Sequence, residues 1–344
     1  MAQTKKINLA LQGGGAHGAF TWGVLDRLLE ENELEVEGIS GTSAGALNGA
    51  AFKAGLIDGG REGARENLEW LWMQVAGVTD LRLGAWMAPF GLDILSRQIE
   101  SSFPYTVGDA VSRMFSPYTY GPFYKNPLAD IVEKFDYGRV CRKQGPEFFV
   151  GATRVRNGKI RIFEGDEIGP DALMASACLP TVFQAVEMFD KTTGRDEAFW
   201  DGGFTGNPAL FPLFHHALPA DIVVININPL ERDTIPTSPQ EIQNRVNEIS
   251  FNSSLLRELR AIEFVQRLIE EGTVSSDRMS RVRIHMIADD AMMSQLSAAT
   301  KVVPNPKVIG DLKAAGRTAA ETFLRDGIDH IGKRSGVDLA EMFS

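Results

Sequence analysis

The stretch Ile7-Asn-Leu-Ala-Leu-Gln-Gly-Gly-Gly-Ala-His-Gly-Ala-Phe-Thr-Trp-Gly-Val-Leu25 decides the fold. Residues 7–12 read as a short buried strand. Gly13 to Gly18 break it. Phe20, Val24, Leu25, Leu28 and Leu29 then recur at helical spacing between Ala19 and Asn32. The same order of elements follows at once. Residues 35–40 read as a second strand, Gly41-Thr-Ser-Ala-Gly45 as its turn, and Ala46 to Ala54 as a small-residue helix with Gly55 as its stop. Two consecutive strand–turn–helix units predict an α/β fold, with a mostly parallel central sheet and helices on both faces.

Further along, the apolar spacing of Leu68, Leu71, Trp72 and Val75 predicts a helix over 61–76. Strands are expected at 147–152, 159–163, 198–201, 222–227 and 282–287. A short helix is expected from Asp171 to Cys178, ended before Pro180. Residues 239–270 read as one or two amphipathic helices, and Pro306 to Phe323 as another. The stretch 81–124 is aromatic and full of breakers. It reads either as an irregular insertion packed on the core or as a lid over a site, since long loops often carry function.

Composition bounds what the chain does. It has 344 residues, 44% apolar and 23% charged, which is ordinary for a soluble globular protein. The formal net charge of −10 repels phosphate backbones, so nucleic acid is not an expected partner. Only two cysteines occur, Cys141 and Cys178, with no CxxC spacing, which points to a reducing compartment. The run Ile7 to Leu11 is too short for a secretory signal and leads into glycines. A cytoplasmic location is the expectation. No stretch reaches the ~20 apolar residues of a membrane span.

Three segments carry chemistry. Gly41-Thr42-Ser43-Ala44-Gly45 fits G-x-S-x-G, a sharp strand-to-helix turn that exposes a serine oxygen and aims the Ala44 amide at an attacked carbonyl. The plainer alternative is a glycine turn with Ser43 capping the helix. Gly13-x-Gly15-x-x-Gly18 fits the dinucleotide fingerprint, but that motif wants a carboxylate at the tip of the second strand. The strand ends instead in Ile39-Ser40-Gly41. Adjacent amides at a helix start also suit an oxyanion hole, and this reading explains the second turn as well. The serine then needs a base. A triad drawn as Ser43, Asp201 and one of His330, His215 or His216 places the nucleophile directly after the second strand, too early for an α/β-hydrolase. Asp201-Gly202-Gly203, at a strand end, is the better candidate, although Asp-Gly-Gly is also a common turn. Neither Cys nor His shows metal-ligand spacing, so no metal and no cofactor is expected.

Together these segments resemble the patatin-like phospholipases. Residues 7–25 look like that family's glycine-rich oxyanion segment, and Gly41–Gly45 like its nucleophile elbow. Ala175-Ser-Ala-Cys-Leu-Pro180 is similar to its A-S-x-x-x-P block. Asp201-Gly-Gly203, with Asn207-Pro208 behind it, resembles its Asp-Gly-Gly segment. The order is the family's order and spans about residues 5–230. The resemblance implies a three-layer sandwich and a Ser–Asp dyad without histidine. Ser43 is then the nucleophile and Asp201 the base. Gly13, Gly14, Gly15 and Ala16, with Ala44, form the oxyanion hole, and Gly41, Gly45, Gly202 and Gly203 support the turns. Where many relatives have Arg or Lys, this chain has His17.

The resemblance implies a catalytic domain over 5–230, with 81–124 inserted, and an α-rich extension over 231–344 packed on the core. It implies hydrolysis of a phospholipid or lysophospholipid ester, with peripheral contact to a lipid surface. An intracellular polyester such as polyhydroxybutyrate is the alternative substrate. A nucleotide-binding module on Gly13–Gly18 and a catalytically silent scaffold are the readings from other classes.

Overall fold

The computed structural model describes residues 4–77, 116–119, 124, 126–275 and 281–343. Eight strands form one sheet: β1 (Lys5–Leu11), β2 (Leu34–Thr42), β3 (Glu147–Arg154), β4 (Ile160–Glu164), β5 (Val186–Asp190), β6 (Arg195–Asp201), β7 (Asp221–Ile225) and β8 (Arg283–Ile287). The order is β5-β6-β3-β2-β1-β7-β8, with β4 also paired to β3. From β3 through β2, β1 and β7 to β8 every pairing is parallel; β4, β5 and β6 add antiparallel pairings at one side. The longer helices are α1 (Gly18–Leu28), α2 (Ala44–Gly77), α3 (Pro170–Ser176), α4 (Pro239–Glu270) and α5 (Pro306–Asp326). Shorter helical turns include Ala298–Val302 and Leu339–Met342.

Side-chain alternation along the central strands explains the layering. Ile7, Leu9 and Leu11 of β1 and Val223 and Ile225 of β7 face one apolar cluster, with residues of α1, α2, α3 and α5. Ala10, Ile222 and Val224 face a second cluster, with Leu255, Leu259 and Ile262 of α4. A parallel sheet buried on both faces needs apolar residues at successive positions, and these strands have them. The fold is the expected α/β sandwich with a mostly parallel sheet.

Two local expectations change. α2 runs through Gly55, the expected stop, and bends at Gly59–Gly60, where Gly60 takes φ 64°. The helix cost of a glycine is only about 1 kcal/mol, and burial of Phe52, Ala54 and Gly55 offsets it. β5 was not legible as a strand. It pairs only with β6, and its outer position leaves Phe189 exposed.

Residues 231–344, expected as an extension on the core, also complete the sheet. β8 lies beside β7, and α5 packs on α1. The Lys313 ammonium sits 3.8 Å from the Trp22 ring centroid. Buried Asp26 takes Arg65 at 3.0 Å and also pairs with Arg317, which reaches Glu30 at 2.9 Å. The 81–124 stretch, read as an insertion or lid, lies outside the described residues except for 116–119 and 124. There, the hydroxyls of Tyr118 and Tyr124 accept the amides of Ala185 and Gln184 at 3.0 and 3.2 Å. Among the described residues no helix is long and apolar enough to cross a membrane.

Candidate active site

β1 ends at Leu11, paired with Gly41 of β2 on one side and Ile225 of β7 on the other. The chain winds outward from β1 through β2 to β3, then returns to β7 on the opposite flank. In open α/β sheets ligands bind outside the carboxyl ends of the strands at such a reversal. Both glycine turns open there.

The register of β3 brings the serine and the aspartate together. Gly151 pairs with Thr42 of β2, and the next residue, Ala152, pairs with Asp201 of β6. β4 occupies the other edge of β3 over the same residues. β6 therefore enters the gap where β2 ends, and Asp201 arrives beside Ser43. These two residues are 158 positions apart in sequence. No local pattern encodes their meeting; the strand pairing does.

Ser43 has φ 54°, the one positive φ outside glycine among the described residues. Such a conformation costs about 1–3 kcal/mol and persists where its surroundings over-determine it. Here the Ser43 carbonyl accepts the Leu47 amide at 3.1 Å, starting α2. The Ser43 amide donates to Ser176 Oγ at 2.9 Å, and Ser176 Oγ donates to the Gly151 carbonyl at 2.7 Å. Ser176 thus ties the elbow to β3. A Cβ on Gly41 would strike the Gly45 carbonyl, and one on Gly45 would strike the Leu11 carbonyl of β1.

Asp201 is fully buried. Its Oδ1 accepts the Gly203 amide at 2.7 Å. Its Oδ2 makes no hydrogen bond of good geometry. Burial raises the carboxyl pKa to about 7, and the Gly203 amide and Ser43 hydroxyl oppose that rise. A carboxyl poised near neutrality beside a hydroxyl has the properties of a general base. No histidine is among the groups that set its pKa. His285 bonds Asp221 at 2.9 Å, and His330 bonds Arg334 at 2.6 Å.

The first glycine turn lies against the elbow: a Cβ placed on Gly13 would fall 2.8 Å from Ser43 Cβ. The Gly13 amide donates to Asn207 Oδ1 at 2.7 Å, so it is committed to holding the loop. The Gly13 carbonyl accepts Asn228 Nδ2 at 2.9 Å and Asn207 Nδ2 at 3.3 Å. Among the described residues the amides of Gly14, Gly15, Ala16 and Ala44 find no protein acceptor. They are free to donate to a bound group. Gly202 and Gly203 form the turn after β6, where a side chain on Gly203 would strike Phe251. His17 is buried, with Nε2 2.7 Å from Thr300 Oγ1; burial and the charge of Lys301 push its pKa well below the usual imidazole range.

The structure thus gathers Ser43, Asp201, the glycine loop and Ala44 in one place, and moves Gly13 from donor to anchor. Sequence reasoning gave no role to Ser176, Asn207 or Asn228. Ser176 and Asn207 sit inside the A-S-x-x-x-P and Asn-Pro segments, and Asn228 directly follows the buried strand run 222–227. A polar side chain at the end of such a run was the available signal. Among the described residues no group of three or more His, Cys, Asp or Glu side chains gathers as a metal site would.

Comparison with known proteins gives three findings. A family model described as patatin-like phospholipase matches residues 9–214. No curated protein matches the chain by sequence. Among solved structures, VipD from Legionella pneumophila is similar, with TM-score 0.44 and 14% identity, over 94% of this chain and 67% of its own. The heterodimeric ExoU–SpcU complex of the Pseudomonas aeruginosa type III secretion system is similar at TM-score 0.30 and 17% identity, over 94% of this chain and 62% of its own.

Proposed function

The chain belongs to the patatin-like phospholipase family, and on that premise we propose that it is a lipid acyl hydrolase acting through a Ser43–Asp201 dyad. The observation that carries the dyad is the buried Asp201 carboxyl with an unpartnered oxygen, held one β3 register step from the serine turn.

In this mechanism Ser43 Oγ attacks the ester carbonyl carbon, and its proton passes to Asp201. The resulting oxyanion takes hydrogen bonds from amides among those of Gly14, Gly15, Ala16 and Ala44. The carbon–oxygen bond to the alcohol breaks, and Asp201 returns the proton to that leaving oxygen. Water then attacks the acyl-serine, giving its proton to Asp201. Collapse releases the acid and restores the Ser43 hydroxyl.

A fluorophosphonate probe tests the reading. The wild-type protein should be labelled at Ser43, and Ser43→Ala should not. An unlabelled wild type would leave the scaffold reading standing. For the substrate, a panel of phospholipid, lysophospholipid, triglyceride and hydroxyalkanoate oligomer separates lipid from polyester. Preferred turnover of the oligomer would reassign the enzyme to polyester.

The α4 helix supports contact with a lipid surface. Its first turns are inverted in polarity: Ile242, Val246 and Ile249 are exposed, while Glu248 and Asn252 are buried. On the other side of the helix Phe251 packs on the turn after Asp201, its ring 5.4 Å from that of exposed Phe204. Val246→Glu with Ile249→Glu should reduce co-sedimentation with phosphatidylcholine vesicles. Equal sedimentation of the wild type and this double variant would remove the contact from the proposal. The free thiols Cys141 and Cys178 support a cytoplasmic setting.

A further inference from the structure

The family match ends at residue 214, yet the oxyanion loop is buttressed from beyond it. The helical turn Ala298–Val302 packs directly behind Gly14–His17. Gly15 has φ 59°, and a Cβ there would fall 2.2 Å from the Lys301 carbonyl oxygen. Thr300 Oγ1 donates to the Ser297 carbonyl at 2.8 Å, so it accepts from His17, which must then carry its proton on Nε2. Burial and the Lys301 charge hold the His17 pKa well below the usual imidazole range, so His17 is a neutral donor and brings no charge to the loop.

The charge comes from the next residue. Lys301 Nζ donates to Asn228 Oδ1 at 2.6 Å. The same amide donates from Nδ2 to the Gly13 carbonyl at 2.9 Å. The Asn228 backbone amide is fixed in turn by Gln12 Oε1 at 2.9 Å. A cation on one end of an amide polarises the donor at its other end, and hydrogen bonds in such chains strengthen one another. The chain runs from ammonium to Asn228 to the Gly13 peptide, which carries the Gly14 amide.

We propose that Lys301 is a positioning residue of the oxyanion hole, a cation supplied by the C-terminal segment that orients and polarises the Gly13–Gly15 loop through Asn228. This rests on the ester-hydrolase reading of the site. The charged groups that act on Lys301 are Glu248 of α4 and Arg232; the neighbouring His17 is neutral. Glu248 is engaged by Arg232 at 2.5 Å and by Arg245 at 3.2 Å, which leaves Lys301 without a carboxylate of its own. Burial lowers its pKa to about 8, so the ammonium is charged below that pH and is lost as pH rises through it.

The test is a pH profile of kcat and kcat/KM on the full chain, for wild type, Lys301→Met and Lys301→Arg. Removing an oxyanion donor outright costs about 10²–10³ in rate; an indirect support should cost less, so Lys301→Met is expected to lower kcat about 10-fold with KM little changed. Its profile should lack the descending limb that the wild type shows above pH ~8. Lys301→Arg should recover rate and move that limb to higher pH, because guanidinium stays charged. If Lys301→Met fails to fold, the limb in Lys301→Arg still decides. An unmoved limb in Lys301→Arg overturns the proposal, as does wild-type kcat and profile in Lys301→Met. In either case Ser43 labelling in the wild type keeps the ester-hydrolase reading in place. Absence of that labelling overturns both.

Discussion

The two turns that meet at the site are held in different ways. The Ser43 elbow is fixed by its own neighbourhood in the sheet. Thr42 is in register with Gly151, the Ser43 amide is tied through Ser176 to that same Gly151, and the helix begins on the Ser43 carbonyl. The Gly13–Gly18 loop leaves β1 with no such frame. Its Gly13 peptide is held by side chains of Asn207 and Asn228, and its far side by Thr300 and Lys301. In the proposed mechanism a nucleophile must sit at one place, and a strained backbone pinned by strand register gives it that. The oxyanion donors of that mechanism must point at a charge that forms only during reaction. Side chains drawn from three distant segments orient them and leave the amides free. The elbow is thus set by strand register with one side-chain tie, from Ser176 of α3, and the loop by polar side chains from several distant segments.

The sharpest way to test the division is to remove the chemistry and leave both supports. Ser43→Ala should abolish ester turnover, by about 10⁴-fold or more, as loss of a nucleophile does in other serine hydrolases. Asp201→Asn should cost about 10²–10⁴-fold, the usual worth of a positioned base. Both should keep the wild-type melting temperature, or gain in Asp201→Asn, where a buried ionisable group is removed. The wild-type pH profile carries the sign. A base must be deprotonated to act, and Asp201 has a pKa of about 7. Activity should therefore be lost as pH falls through about 7, measured as kcat/KM. For stability the sign is opposite to that of a salt-bridged carboxylate. The raised pKa means the folded state binds the proton more tightly, so the contribution of Asp201 is greatest below its unfolded pKa and declines as pH rises through 7.

The same division explains what the sequence revealed. The two turns are contiguous motifs after strands of clear apolar pattern, so Gly41–Gly45 and Gly13–Gly18 were legible with their elements. Asp201 was legible as a strand-end acid before two glycines. Its pairing with Ala152, one step from Thr42, was not, because register between distant strands leaves no local trace. β5 was missed since its apolar residues, Val186, Met188 and Phe189, do not form a clean alternation. β8 was legible as a strand but not as a neighbour of β7. Lys301 lies in a short helical turn with no motif, and its value depends on Asn228, 73 residues earlier. Gly13 was read as a donor because adjacent glycines expose amides; only the structure shows its amide bonded to Asn207.

A second variant attacks the elbow's support. Ser176→Ala leaves the Ser43 amide without its acceptor and the Gly151 carbonyl without that donor, both in a buried setting. An unpaired buried group costs about 1–3 kcal/mol. The melting temperature and the rate of fluorophosphonate labelling should fall together, because the same bond stabilises the fold and holds the serine. Labelling at the wild-type rate in a destabilised protein would mean that β3 register alone fixes the elbow.

The loop should behave otherwise, and Asn228→Ala is the comparison that shows it. The Gly13 carbonyl keeps Asn207 Nδ2 at 3.3 Å, and the Gly13 amide keeps Asn207 Oδ1, so the loop stays attached to the core. The truncation opens room for water to reach the Lys301 ammonium, which limits the desolvation cost of its lost partner. What is lost is the path from that cation to the Gly14 amide. The expectation is a fall in kcat of about 3–10-fold, within the cost of one weakened oxyanion donor. Substrate KM and the melting temperature should change little. Ser176→Ala couples rate to stability, whereas Asn228→Ala should separate them. If Asn228→Ala instead lowers the melting temperature as much as Ser176→Ala does, measured by circular dichroism, the loop is held by the same kind of frame as the elbow. The contrast between the two turns would then fail.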